Sequence, residues 1–113
     1  MEIKDFTQWL NEAVRQEHQG YRLAYQLVMN DGTELSIQAS SFHHCNPRTT
    51  EIPNYNWYDE FEIGFPNRVI DKLLPYAEDV DEPTETVYAY VPKNLIRCIV
   101  EDCGGVKEVL RGE

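Results

Sequence analysis

Tyr21-Arg22-Leu23-Ala24-Tyr25-Gln26-Leu27-Val28-Met29-Asn30-Asp31-Gly32-Thr33-Glu34-Leu35-Ser36-Ile37-Gln38-Ala39-Ser40 is the stretch on which the fold turns. Residues 21–29 alternate as a strand, with Tyr21, Leu23, Tyr25, Leu27 and Met29 on one face. Residues 33–40 alternate too, with Leu35, Ile37 and Ala39 together. A two-residue Asp-Gly loop would set Val28 against Leu35 and Leu27 against Ser36, scattering both apolar faces, because a one-residue slip turns every side chain over. A three-residue loop, Asn30-Asp31-Gly32, pairs Leu27 with Leu35 and Tyr25 with Ile37 and keeps one face dry. The sequence therefore predicts a type I turn followed by a left-handed Gly32 in a bulge.

Upstream, Phe6, Trp9, Leu10, Ala13 and Val14 recur at helical spacing, which predicts an amphipathic helix over 6–19. Asp5 with Gln8 reads as its N-cap, and Gly20 as its left-handed C-terminal cap. Downstream, 41–56 reads as a long irregular loop with two prolines, of the length that tends to be functional. Residues 57–65 read as a strand with Trp57, Phe61, Ile63 and Phe65 on one side and Tyr58, Glu60 and Glu62 on the other; Asp59 interrupts the apolar side, so the strand can equally start after it. Pro66 and Asn67 open a short helix, 67–74, with Val69, Ile70, Leu73 and Leu74 inward, which Pro75 stops or kinks. Val87–Val91 is a strand apolar on both faces. Pro92 leads into a helix with Leu95, Ile96, Ile99, Val100 and Cys103 on one stripe, Gly104 caps it, and 106–110 reads as a last short strand. The predicted class is α+β: an N-terminal helix, a β-hairpin and a mixed sheet of four to five strands, covered mainly on one face by helices.

A chain of 113 residues with 42% apolar and 12% aromatic residues forms one globular domain over 1–113 rather than a disordered segment. No apolar run approaches the roughly 20 residues that span a bilayer, and Met1-Glu2-Ile3-Lys4 does not read as a signal peptide. Three unevenly spaced cysteines do not suggest a disulfide framework. A cytoplasmic protein with reduced thiols is expected, with no membrane partner.

Charge is the strongest functional signal. Formal net charge is −10, and residues 49–102 hold twelve acids against only Arg68, Lys72, Lys93 and Arg97. Segments 49–67 and 73–92 contain no Lys or Arg, and Glu78, Asp79, Asp81, Glu82 and Glu85 place five carboxylates within eight residues. Such a field repels nucleic acid and attracts basic protein surfaces or cations. Trp57 and Tyr58, with Tyr55 nearby, adjoin Asp59, Glu60 and Glu62, and aromatic residues are the usual anchors of interfaces. Arg48 is the one cation of the loop, suited to pairing with a carboxylate or clamping an anion. The expected binding surface therefore comprises Arg48, Trp57, Tyr58, Asp59, Glu60, Glu62, Glu78, Asp79, Asp81, Glu82 and Glu85, with the carboxylates forming one patch.

Other chemistries fit less well. His43-His44-Cys45 would draw a metal, with Cys98, Cys103 or His18 completing the set, but zinc ligands usually stand two to four residues apart so that they converge. Cys103 falls within an apolar stripe and reads as a small core residue, whereas Cys98 lies off it. A Cys45 nucleophile with His43 or His44 lacks an oxyanion hole or orienting group beyond the adjacent Asn46. No cofactor, metal or catalytic residue is expected.

Gln38-Ala39-Ser40 leading to His44-Cys45-Asn46-Pro47-Arg48, then Glu62-Ile63-Gly64-Phe65-Pro66, Thr86-Val87-Tyr88-Ala89-Tyr90-Val91-Pro92 and Gly104-Gly105-Val106 together resemble small, mostly uncharacterised bacteriophage and prophage proteins. The resemblance covers about 35–106, and those proteins often carry His where this chain has Cys103. It implies a phage setting and the cytoplasm of a bacterial host, and no established activity. The leading expectation is a non-enzymatic phage-type protein that binds a basic host or phage protein, in its sharpest form a nucleic-acid mimic inhibiting a defence or replication factor. The alternatives are a small-ligand or metal-binding protein, hydrolytic or not, built on loop 41–56, and a virion-assembly component.

Overall fold

The computed structural model describes residues 6–12, 15–18, 21–24, 26–40, 43–49 and 54–107. Helix α1 (Phe6–Glu12) precedes strands β1 (Arg15–His18) and β2 (Tyr21–Ala24), which pair antiparallel with each other. Strands β3 (Leu27–Val28), β4 (Glu34–Gln38), β5 (Glu60–Gly64) and β6 (Val87–Pro92) form a four-stranded sheet in that order, and helix α2 (Lys93–Asp102) follows. The class is α+β. Every pairing of the described strands is antiparallel, where the sequence predicts a mixed sheet. Within each of the two sheets every strand lies beside its sequence neighbour, so none needs a parallel crossover. No described helix is long and apolar enough to cross a membrane.

The hairpin forms with the predicted register. Leu27 pairs with Leu35 and Val28 with Glu34. The Gly32 amide donates to the Met29 carbonyl at 2.9 Å, the Met29 amide to Thr33 at 2.9 Å, and Gly32 has φ +92°. Leu27, Met29, Leu35, Ile37 and Ala39 are all buried, as the parity argument requires. The pairing of Tyr25 lies outside the described residues.

The long N-terminal helix is a correction. Phe6, Trp9 and Leu10 are buried, but α1 ends at Glu12 and residues 15–18 form β1 instead. Arg-Gln-Glu-His offers no apolar stripe to hold a helix against the core, and strand pairing with Tyr21–Ala24 satisfies its backbone instead. The reading of 21–29 as one strand is corrected too, since β2 pairs with β1 and β3 with β4. Asp5, Ala13, Val14 and Gly20 lie outside the described residues.

Two further corrections come from 3₁₀ segments. Residues Tyr55–Trp57 form one, capped by the Asn54 side chain, which accepts from the Asn56 amide at 2.8 Å. A 3₁₀ turn aligns positions three apart, so Tyr55 and Tyr58 both turn inward to pack with Phe61, while Trp57 is 61% exposed. The predicted period-2 strand would have placed Trp57 inside and Tyr58 outside. The other segment, Asp71–Tyr76, replaces helix 67–74 and contains Pro75. Asn67 does not open a helix: its side chain accepts from the Glu34 amide and donates to the Gly32 carbonyl, clasping the hairpin. Ile70 and Leu73 are buried as expected, but Val69 is exposed.

Helix α2 buries Ile96, Ile99 and Val100, with Cys103 behind them and Cys98 exposed. Gly104 takes φ +86°, and the Gly105 amide returns to the Val100 carbonyl at 2.9 Å, ending the helix. The chain then meets the hairpin. Asn30 and Asp31 amides donate to the carbonyls of Gly105 and Cys103, and Met29 bridges to Val106.

Candidate functional site

Acidic loop 78–86 is fastened by its own backbone. The Glu78 amide donates to the Val87 carbonyl, the Asp79 amide to the buried Thr86 hydroxyl, and the Asp81 amide to the Asp79 carboxylate. Glu82 and Glu85 close successive turns onto the carbonyls of Asp79 and Glu82, and the Tyr88 hydroxyl donates to the Pro83 carbonyl. With the backbone so occupied, Glu78, Asp79, Asp81, Glu82 and Glu85 project as exposed carboxylates. Asp59 is exposed as well, while Glu60 and Glu62 are half-buried on β5.

The two acidic groups meet at His44. Its Nδ1 lies 2.9 Å from Glu78 Oε2 and 3.5 Å from Glu62 Oε1, while its amide donates to Glu62 Oε1 at 3.1 Å. The ring nitrogen is shielded from solvent and no acceptor lies along a hydrogen-bonding direction, so the contacts with both carboxylates act through space. The His44 carbonyl accepts from the Tyr90 amide at 3.0 Å, and the two rings sit 5.7 Å apart, tilted by 32°.

A bulge in β6 explains how Tyr90 reaches this place. Phe61 pairs with Val91 but Ile63 with Tyr88, so β6 carries one extra residue opposite Glu62. Tyr90 takes φ +55°, its side chain is turned outward, and Tyr88 and Val91 both face the core. The sequence gives no sign of this bulge, because Val87–Val91 is apolar throughout.

The cations of 49–102 are occupied elsewhere. Arg68 donates to the Thr33 hydroxyl, the Cys103 sulfur and the Val69 carbonyl and lies 3.7 Å from Asp31. Lys72 pairs with Asp102, Lys93 donates to the Asn56 carbonyl, and Arg97 donates to Thr7 while lying over the Phe6 ring. Among the described residues, no Lys or Arg forms an ion pair with Asp59, Glu60, Glu62 or the five loop acids.

Tyr58, expected on the binding surface, is instead fully buried, and its hydroxyl donates to the Thr49 carbonyl. Trp57 and Arg48 are exposed. His43 and Cys45 are both buried around Ser40: His43 Nδ1 lies 2.7 Å from its hydroxyl, and Cys45 Sγ donates to its carbonyl. Among the described residues, no three His, Cys, Asp or Glu side chains are arranged to hold a metal ion. A shallow cavity of about 200 Å³ lies instead beside Arg68, Ile70, Lys72, Ile99 and Cys103, away from 43–49.

No protein-family model, curated protein or solved structure matches the chain.

Proposed function

We propose that this is a non-enzymatic, phage-type protein acting in the cytoplasm of a bacterial host, which binds a basic surface of a host or phage protein through its acidic face. One observation carries the reading. The four cations of 49–102 are engaged in internal contacts that lead away from the loop acids, so the carboxylates keep an uncompensated field. A scattered solvated surface would ordinarily interleave both signs. In its sharpest form the face stands in for nucleic-acid phosphates and blocks a basic site of a defence or replication factor.

The test is affinity capture from host cells with a salt titration, using wild type and the variant Glu78→Gln/Asp79→Asn/Asp81→Asn/Glu82→Gln. A partner of the proposed kind is held at low salt, released as screening rises, and lost by the variant mainly through slower association. A partner retained equally by the variant retires the reading and turns attention to exposed Trp57.

A further inference from the structure

Where the end of α2 meets residues 68–72, the shallow cavity of about 200 Å³ sets both signs of charge around an apolar floor. Ile70, Ile99 and Cys103, all buried, form that floor. Arg68 and Lys72 line the cavity with side chains about half exposed, and Asp71 and Asp102 line it too, so the lining carries no net charge. Internal contacts leave much of this polar capacity unspent. A guanidinium has five N–H groups and an ammonium three. Arg68 spends one each on Thr33, Val69 and Cys103, and its contact with Asp31, at 3.7 Å, is too long for a hydrogen bond. Lys72 spends one on a single oxygen of Asp102. Among the described residues, Asp71 has no ion-pair partner. Spare donors and spare carboxylate oxygens therefore face the same small space.

We propose that this cavity binds a free aliphatic α-amino acid, its carboxylate on Arg68 and Lys72, its ammonium on Asp71 and Asp102, and its side chain over Ile70 and Ile99. The site is independent of the acidic-face reading. Charge decides the class of ligand. A simple anion would gain from the two cations but meet two carboxylates, and a simple cation would meet the reverse. A zwitterion sets each sign against its opposite, through charge-assisted hydrogen bonds of both kinds. Size decides the scale. A cavity of about 150 Å³ holds benzene, with six heavy atoms, so one of about 200 Å³ suits roughly eight, the size of valine. The apolar floor then covers the isopropyl group, as in small-molecule sites generally.

The test is a titration of the full chain with L-valine, followed by NMR. Saturable shifts are expected at Ile70, Lys72, Ile99 and Cys103. Isovalerate lacks the ammonium, isobutylamine the carboxylate and glycine the side chain, and each should bind at least tenfold more weakly. Asp71→Asn should weaken valine at least tenfold, with thermal melting unchanged, yet leave isovalerate no weaker. Lys72→Gln should weaken valine but not isobutylamine, because each variant removes the partner of one ligand group. The variant Glu78→Gln/Asp79→Asn/Asp81→Asn/Glu82→Gln leaves the cavity whole and should bind valine within twofold of wild type. Shifts that fail to saturate, isovalerate or isobutylamine binding as tightly as valine, or Asp71→Asn binding valine like wild type would each overturn the site.

Discussion

Gly32→Ala isolates the backbone term of the hairpin because the site has nothing else to lose. A Cβ built there meets no atom within 4 Å, so the substitution brings neither clash nor packing. What remains is φ +92°, well beyond the left-handed basin near +57°. Holding an L-residue in left-handed space costs about 1–2 kcal/mol. The opposing term is the alanine's restriction of the unfolded chain, about 0.4–1 kcal/mol for a site without strain. The net expectation is a destabilisation of about 1 kcal/mol, or roughly 4 °C in Tm for a domain of this size. Gly64→Ala supplies the control. Its φ is not left-handed, and its Cβ would make ordinary contacts with Ser36 Cβ at 3.6 Å and Val87 Cγ1 at 3.7 Å. It should therefore stabilise by about 0.4–1 kcal/mol through the unfolded state. Urea melts of both variants at unchanged m would separate them by about 1–2 kcal/mol in opposite directions. The turn also receives the chain after α2, through Asn30 and Asp31, so strain at Gly32 cannot be relieved by letting the turn drift. Gly32→Ala as stable as wild type would refute the claim that the left-handed position fixes the register.

Phe65 is 54% exposed at φ +50°, so Phe65→Gly should raise stability by up to about 1 kcal/mol in chemical denaturation, and a marked loss would mean the ring packs more than its exposure implies. Tyr58→Ala should cost about 3–5 kcal/mol and Trp57→Ala less than about 0.5, and equal losses would return Trp57 to the core. The Asp31 carboxyl is held below its ordinary value of 3.8 chiefly by the Thr33 amide and hydroxyl, with the Cys103 thiol and then Arg68 adding smaller contributions. A lowered folded pKa gives stability that is present above 3.8 and lost as pH falls through the folded value. Asp31→Asn should therefore lie below wild type at neutral pH by a small margin that closes under strong acid, as acid titration of the melting temperature would measure; a margin unchanged at low pH would refute the assignment.

The sequence by itself determined what depends on short-range parity and on composition. Leu27, Met29, Leu35 and Ile37 could share a dry face in only one register, and Asn30-Asp31-Gly32 supplies the turn that register needs. The stripe of α2 was equally legible, because Ile96, Ile99, Val100 and Cys103 satisfy one helical period, and Gly104 ends it. The concentration of negative charge needed no structure at all. Tertiary structure decided which local pattern prevailed where two competed. Residues 6–18 begin with a helical stripe too short to hold a helix against strand pairing, so α1 stops and β1 forms. Tyr58 and Trp57 exchange places because a 3₁₀ turn at 55–57 replaces period two with period three. The site itself belongs wholly to this second class. His44, Glu62, Glu78 and Tyr90 are far apart in the chain, and the pairing of β5 with a bulged β6, the bond from the Glu78 amide to Val87 and the bonds of His44 to Glu62 and Tyr90 bring two acids and an exposed ring onto one histidine. Such convergence carries no sequence period, because it arises from where strands lie in space rather than from how residues repeat along them.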